Sequence, residues 1–512
     1  MAICKVTTTC GILRGQPAGN HYVSVFKGIP YAAPPVGPLR WRPPQPPEAW
    51  EGERDALTFS RICPQPPKEP GSFYWKEYFP IYEECSEDCL YLNVWTSAIT
   101  GKEKMPVFVW IHGGGFKEGY GHTMGYDGEA YAAQGIVTVT INYRVGLFGF
   151  LTAPELAEES PCHSCGNYGI LDQIAALHWV QENIAAFGGD PEQVTIGGQS
   201  AGALSTQILS CSPLTKGLFQ RAILQSGGGI YSLYDTPFDT WQEAAAKDDL
   251  HQVLEVSSIE EARRLPAEEI ARRQLKQPYW NRGYLPVVDG VVLPADPNRL
   301  VYEGCHHDID YLIGSTRDEG LPTCTLNREE YRRHMEILLG EQAAEYLSLC
   351  PIEDEESFLS FRAQLMQENL RIGTSVWCRL QEVVGRRPSY LYQFNRSLPG
   401  NDHLGAVHSA EHWYVFRTFL RSWRPMEETD FRLSITMSSY WMNFIRTGNP
   451  NGSGLPAWSP YTEATPCRME LGDTQECLPL VLSPREKWQA DRLIRQGNAG
   501  EVPRTIQKTS VH

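Results

Sequence analysis

A chain of 512 residues can hold more than one domain, although a large α/β enzyme also reaches this size as a single unit. Its 42% hydrophobic and 21% charged residues are ordinary globular composition and supply a sizeable core. The formal net charge of −16 argues against nucleic acid as a partner, because phosphate recognition needs a basic footprint. No run of about 18 apolar residues is present, so no membrane span is expected. Met1-Ala2-Ile3-Cys4-Lys5 carries no secretory apolar run, which predicts a cytoplasmic chain whose 14 cysteines stay reduced. Cys162-His163-Ser164-Cys165 has C-x-x-C spacing, but no second ligand pair stands at a matching distance, so no metal site is expected. Asn395-Arg396-Ser397 and Asn451-Gly452-Ser453 match the glycosylation acceptor pattern and, without secretion, read as loop residues.

In chain order, Val6 to Ile29 predicts a pair of short alternating strands around Gly19-Asn20, a hairpin suited to a sheet edge. Pro30 to Pro47 reads as an extended surface loop. Ser60 to Cys85 is loop-like and rich in aromatic residues (Phe73, Tyr74, Trp75, Tyr78, Phe79, Tyr82), either packed locally or lining a pocket mouth. Strands are expected at 91–95, 107–111, 136–141, 194–196, 221–225, 310–313 and 389–394. Residues 170–187 carry helical spacing, as do 267–274, 329–349 and 356–384. Ser258-Ile259-Glu260-Glu261 is a capping box, and Ser483-Pro484-Arg485-Glu486 marks the start of the last helix. Near-continuous apolar strands separated by helices imply one α/β domain. It would hold a large, mostly parallel sheet with helices on both faces, and helical insertions that either cover its functional edge or pack as plain helices.

Val194 to Leu204, VTIGGQSAGAL, organises the chemistry. A β-branched strand runs into Gly198-Gln199-Ser200-Ala201-Gly202, the G-x-S-x-G nucleophile elbow, and then into a helix of small residues. A serine hydroxyl is a poor nucleophile until a base takes its proton, so Ser200 needs a histidine and the histidine a carboxylate. His408 stands out among the histidines because small residues surround it in Gly405-Ala406-Val407-His408-Ser409-Ala410-Glu411. For the acid, Arg317-Asp318-Glu319-Gly320 follows a strand, and composition does not separate Asp318 from Glu319. His112-Gly113-Gly114-Gly115-Phe116 directly follows the strand at 107–111. Such a glycine loop supplies fixed backbone N–H donors to an oxyanion.

With these motifs the chain resembles type-B carboxylesterases of the cholinesterase-like α/β-hydrolase family. The likeness runs nearly end to end. It includes Phe26-Lys27-Gly28-Ile29-Pro30-Tyr31-Ala32, Ser86-Glu87-Asp88-Cys89-Leu90-Tyr91-Leu92-Asn93-Val94-Trp95, Asn142-Tyr143-Arg144-Val145-Gly146 and Gly166-Asn167-Tyr168-Gly169-Ile170-Leu171-Asp172-Gln173. It closes on Asn443-Phe444-Ile445-Arg446-Thr447-Gly448-Asn449-Pro450-Asn451. The resemblance implies an α/β-hydrolase fold, with Glu319 as the triad acid and His408 as the base. It implies an oxyanion hole of Gly114, Gly115 and the N–H of Ala201. Ser226 resembles a family serine that supports the triad's hydrogen bonds, and Arg40 with Glu87 and Arg144 with Asp172 resemble structural ion pairs. Cys63 and Cys89 match a disulfide of secreted members.

One departure concerns specificity. Many animal members carry Glu before the nucleophile, and here Gln199 removes that negative charge. Cationic esters lose an electrostatic partner, so neutral small-molecule esters are the expected substrates, with no cofactor. The competing reading is a non-catalytic adhesion-type protein on the same fold. Such members lose a triad residue and gain an anchor, whereas this chain keeps Ser200, Glu319 and His408. A lipase or amidase differs by pocket shape, which sequence does not convey.

Overall fold

The computed structural model describes residues 1–79, 81–230, 238–247, 253–275, 285–320 and 326–498. The chain parts into two compact units. The first comprises Met1–Leu224, Phe238–Ala295 and His412–Leu455; the second comprises Gln225–Pro237, Asp296–Glu411 and Pro456–His512.

In the first unit, β1 (Lys5–Thr8) and β2 (Gly11–Arg14) form an antiparallel pair. A second antiparallel pair joins β3 (Gln16–Pro17) to β4 (Ser24–Pro30). The expected single hairpin is therefore two. β1 and β2 belong to a small sheet completed by β5 (Glu53–Asp55). The main strands follow: β6 (Tyr91–Thr96), β7 (Met105–Ile111), β8 (Val137–Ile141), β9 (Gly189–Gln199) and β10 (Arg221–Gln225). Their lateral order is β10-β9-β7-β8-β6-β4-β3. β7 runs parallel to both β8 and β9, while β6 and β4 pair antiparallel. Parallel strands buried on both faces need apolar side chains in both directions. Val107 to Ile111 meet that demand with full burial. Helices Tyr168–Asn183 and Ala201–Cys211 pack against β9, and Glu428–Thr447 packs against β7 and β9.

The second unit orders its strands β14-β13-β12-β11. β11 (Asp310–Thr316) and β12 (Tyr390–Phe394) are parallel, as are β12 and β13 (Cys467–Leu471). β14 (Gln475–Pro479) closes the row antiparallel to β13. Sequence periodicity misses this last hairpin because Arg468, Glu470, Glu476 and Cys477 give it no clean apolar face. The helical pattern at 329–349 is broken at Gly340 (φ 53°) into Arg328–Leu339 and Ala343–Ser348. Glu355–Val383 is continuous and lies against β11, β12 and the last helix, Pro484–Asn498. Tyr331, Met335, Tyr346, Phe358, Phe361 and Trp488 form a buried cluster that joins these helices.

Caps follow the sequence closely. The Ser483 Oγ accepts the Glu486 N–H, and the Glu486 carboxylate accepts the Ser483 N–H at 2.8 Å. At Ser258 the hydroxyl caps Glu261 N, but the Glu261 carboxylate reaches back one residue further, to the Ser257 N–H at 2.8 Å. Among the described residues, no helix is long and apolar enough to cross a membrane.

Candidate active site

Ser200 ends β9 and begins helix Ala201–Cys211, with φ 57° and ψ −125°. A side chain seldom occupies that region, so the neighbours must yield space. A Cβ at Gly198 would stand 2.4 Å from the Gly202 carbonyl, and a Cβ at Gly202 would stand 2.1 Å from the Ile111 carbonyl oxygen. Both glycines are thus imposed by close backbone approach between β9, the helix and β7. The turn also leaves the N–H of Ala201 in the first helical turn, where intrahelical acceptors are lacking.

The glycine loop follows β7 within the same unit. A Cβ at Gly113 would meet the Gln199 carbonyl oxygen at 2.6 Å and the Ser200 Cβ at 3.2 Å. The loop therefore lies directly against the elbow. Gly114 (φ 113°) and Gly115 (φ 63°) hold conformations that a side chain would strain. His112 is buried against Tyr143, with ring centroids 4.2 Å apart, and its Nδ1 lies 2.8 Å from the Gly113 carbonyl. Burial lowers its pKa to about 4, so His112 is neutral through the working range and adds no cation beside the loop. Gln199 is buried.

In the second unit, Glu319 lies just beyond β11, and its carboxylate is hydrogen-bonded to Nδ1 of His408. Both side chains are almost wholly buried. The Thr316 N–H holds the other Glu319 oxygen at 2.9 Å. Burial opposes the imidazolium, yet the charge and hydrogen bond of Glu319, with Glu411 adding to them, outweigh it and raise the His408 pKa. Asp318 is engaged elsewhere. Its carboxylate takes Arg317 at 2.7 Å and the Ala406 N–H at 2.8 Å, while its own N–H bonds the Ala406 carbonyl at 3.0 Å. A Cβ at Gly405 (φ 82°) would stand 2.4 Å from the Asp318 Oδ2. Asp318 thus anchors the loop that presents His408, and Glu319 is the carboxylate that meets the imidazole.

A second buried acid, Glu411, was not singled out by the sequence. It receives Ser226 Oγ and Gln225 Nε2, each at 3.4 Å, on one oxygen. Ser226 (φ 49°) is held by its N–H to the Gly314 carbonyl at 2.8 Å, and its hydroxyl donates to Glu411 at 3.4 Å. Burial, and then the charge of Glu319, push Glu411 up to about 7. Its place three residues after His408 was the available signal. An ionised Glu411 favours the imidazolium, so Glu411→Gln is expected to lower the His408 pKa and move the acidic limb of kcat/KM to lower pH. A limb that stays in place or moves up overturns this. A carboxyl whose folded pKa exceeds its unfolded one favours the fold at low pH and loses that contribution as pH rises. The contribution of Glu411 to stability should therefore fall between about pH 4.5 and 7, and Glu411→Gln should remove that part of the pH dependence.

Arg40 clasps Glu87, and Arg144 clasps Asp172 at 2.7 and 2.8 Å, all in the first unit. Cys63 and Cys89 are buried free thiols rather than the disulfide that the resemblance implies, and the Cys63 Sγ donates to the Val145 carbonyl. Cys162 is exposed and Cys165 buried, its Sγ donating to the Ala153 carbonyl. The segment at 60–85, expected to be a loop, forms a short helix at Phe73–Tyr78, capped by Ser72, and its aromatic residues serve both expected uses. Tyr78 stacks on Trp413 at 5.2 Å, whereas Trp75, Phe79 and Tyr82 line a cavity of about 570 Å³ with Tyr120 and helix Ala267–Gln274.

A model of the "Carboxylesterase family" matches residues 4–489. The chain belongs to the carboxylesterase family. It is 36% identical over 477 residues to the para-nitrobenzyl esterase of Bacillus subtilis (strain 168), covering 90% of this chain and 93% of that one. It is likewise 36% identical over 459 residues to the fumonisin B1 esterase of Sphingopyxis macrogoltabida, covering 86% and 82%. A solved PNB esterase superposes with a TM-score of 0.82 at 33% identity, over 95% of this chain and 99% of that one. Carboxylesterase membership establishes the α/β-hydrolase fold and carboxylic-ester hydrolysis. It leaves the non-catalytic reading without support.

Proposed function

We propose that this carboxylesterase hydrolyses neutral small-molecule esters through an acyl-enzyme on Ser200. His408 takes the Ser200 proton as the oxygen attacks the ester carbonyl, then hands it to the leaving alcohol. Glu319 fixes the imidazole tautomer and shares the charge that forms on it. Developing negative charge on the carbonyl oxygen falls to the N–H groups of Gly114, Gly115 and Ala201. Water then enters by the same base and frees the acid. The bond from the Glu319 carboxylate to His408 Nδ1 carries this reading, because it leaves Nε2 to act as the base. One family model across residues 4–489 supports treating the chain as one catalytic domain. Ser226 and Glu411 act on His408 electrostatically, no metal or cofactor enters, and a cytoplasmic setting suits the free thiols of Cys63 and Cys89.

Gln199 sets the preference for neutral substrates. With no carboxylate beside the nucleophile, a quaternary ammonium gains nothing from the elbow. The test pairs a choline ester with its uncharged carbon isostere, before and after treatment with a fluorophosphonate. The neutral ester is expected to show the higher kcat/KM. Both activities should vanish as the reagent labels Ser200, read from the modified peptide by mass. A faster choline ester overturns the preference, and labelling elsewhere with activity lost overturns the nucleophile.

A further inference from the structure

We infer that Gln65 is a positioning residue of the oxyanion loop, a role that rests on the proposed function of Gly114 and Gly115. Its side-chain amide pairs with both backbone groups of Gly119. The Gly119 N–H donates to Gln65 Oε1 at 2.7 Å, and Gln65 Nε2 donates to the Gly119 carbonyl at 3.1 Å. The same Nε2 also donates to the Cys63 carbonyl at 3.0 Å, which orients the amide from its own side. Gln65 therefore stands where a neighbouring strand would stand, supplying one donor and one acceptor to a single residue.

Gly119 is the far end of the loop. A Cβ there would lie 2.4 Å from the Gly113 carbonyl oxygen and 2.5 Å from His112 Nδ1, so the residue seats directly on the loop's first two members. The Gly114 carbonyl accepts the N–H groups of Lys117 at 3.1 Å and Glu118 at 3.2 Å. Residues 114–119 thus close on themselves, and Gln65 ties the closed turn to the segment at 62–65. Glycine at 113, 114, 115 and 119 gives the backbone many conformations to lose. An oxyanion hole accelerates only when its donors are already aimed, so a glycine loop needs an external tie. The loop is also held where the Gly146 N–H donates to the Phe116 carbonyl at 2.6 Å and the Tyr143 hydroxyl to the His112 carbonyl at 2.8 Å, but at its Gly119 end the ion pair of Lys68 with Glu118 is partly exposed and holds weakly.

The test is Gln65→Met, near in volume and unable to form any of the three bonds, with Gln65→Glu as a second variant. Glutamate keeps an acceptor for the Gly119 N–H but turns a carboxylate oxygen toward two carbonyls. Each is expected to lose about 10- to 100-fold in kcat on a p-nitrophenyl ester, with KM within about threefold. Affinity for a trifluoromethyl ketone, which forms the tetrahedral adduct, should weaken by the same factor as kcat/KM. A merely structural role would lower the unfolding midpoint and the titratable serine without that parallel. Should Gln65→Met fail to fold, Gln65→Glu carries the same readings. A kcat within twofold of the natural chain, or ketone affinity unchanged while kcat falls, overturns the inference. Natural enzyme that hydrolyses no ester overturns the parent reading instead.

Discussion

Ser200→Ala is expected to lower kcat for p-nitrophenyl esters by about 10⁵- to 10⁶-fold. The size of the effect follows from what the hydroxyl does. Without it no acyl-enzyme forms, and His408 has no oxygen to deprotonate. Water attack would remain, helped only by donors that bind the oxyanion, so activity should stay above the uncatalysed rate. The backbone of the elbow does not depend on the hydroxyl. Its φ of 57° is permitted by the space that Gly198 and Gly202 leave, and alanine inherits the same space. The unfolding midpoint should accordingly be unchanged, which separates lost chemistry from lost fold. Retention of more than a tenth of the activity would remove Ser200 from the mechanism.

Glu319→Gln is the second large effect, about 10³- to 10⁴-fold in kcat. The amide can occupy the carboxylate's volume, but it can present N–H to His408 Nδ1 and so select the wrong tautomer. It also withdraws the charge that raises the His408 pKa. The residual activity should therefore have its acidic limb at lower pH than the natural enzyme. Asp318→Asn is the matched control. Asp318 bonds Arg317 and the Ala406 N–H rather than the imidazole, so its loss should loosen the His408 loop and cost less than about tenfold. Steady-state rates across pH on the two variants decide the matter. Equal losses, or an Asp318 loss exceeding that of Glu319, would transfer the acid role to Asp318.

Both effects trace to backbone geometry that fixes a few side chains before substrate arrives. Gly198, Gly202 and Gly113 are each within a carbon's reach of another backbone, so the elbow and the glycine loop have one way to pack. The His408 loop is pinned in turn by Asp318, whose carboxylate takes the Ala406 N–H. Rate in such a site is expected to depend on residues that never touch substrate, as the proposals for Asp318, Glu411 and Gln65 hold.

The sequence alone determined the strands of the parallel centre, the helix starts at Ser258 and Ser483 and the candidate nucleophile. These are local matters. Apolar runs such as Val107 to Ile111, an N-cap such as Ser483 and the glycines about Ser200 act through neighbours in the chain. Composition left Asp318 and Glu319 equal, because adjacent carboxylates differ only in which distant loop each one meets. The tertiary structure put the Ala406 N–H on one and His408 on the other. It also decided what no pattern announces: a Glu411 pushed toward neutrality by burial, an edge hairpin at β13 and β14, and an amide at Gln65 that serves Gly119. Desolvation and long-range hydrogen bonds depend on what the folded chain brings together, and sequence spacing does not encode them.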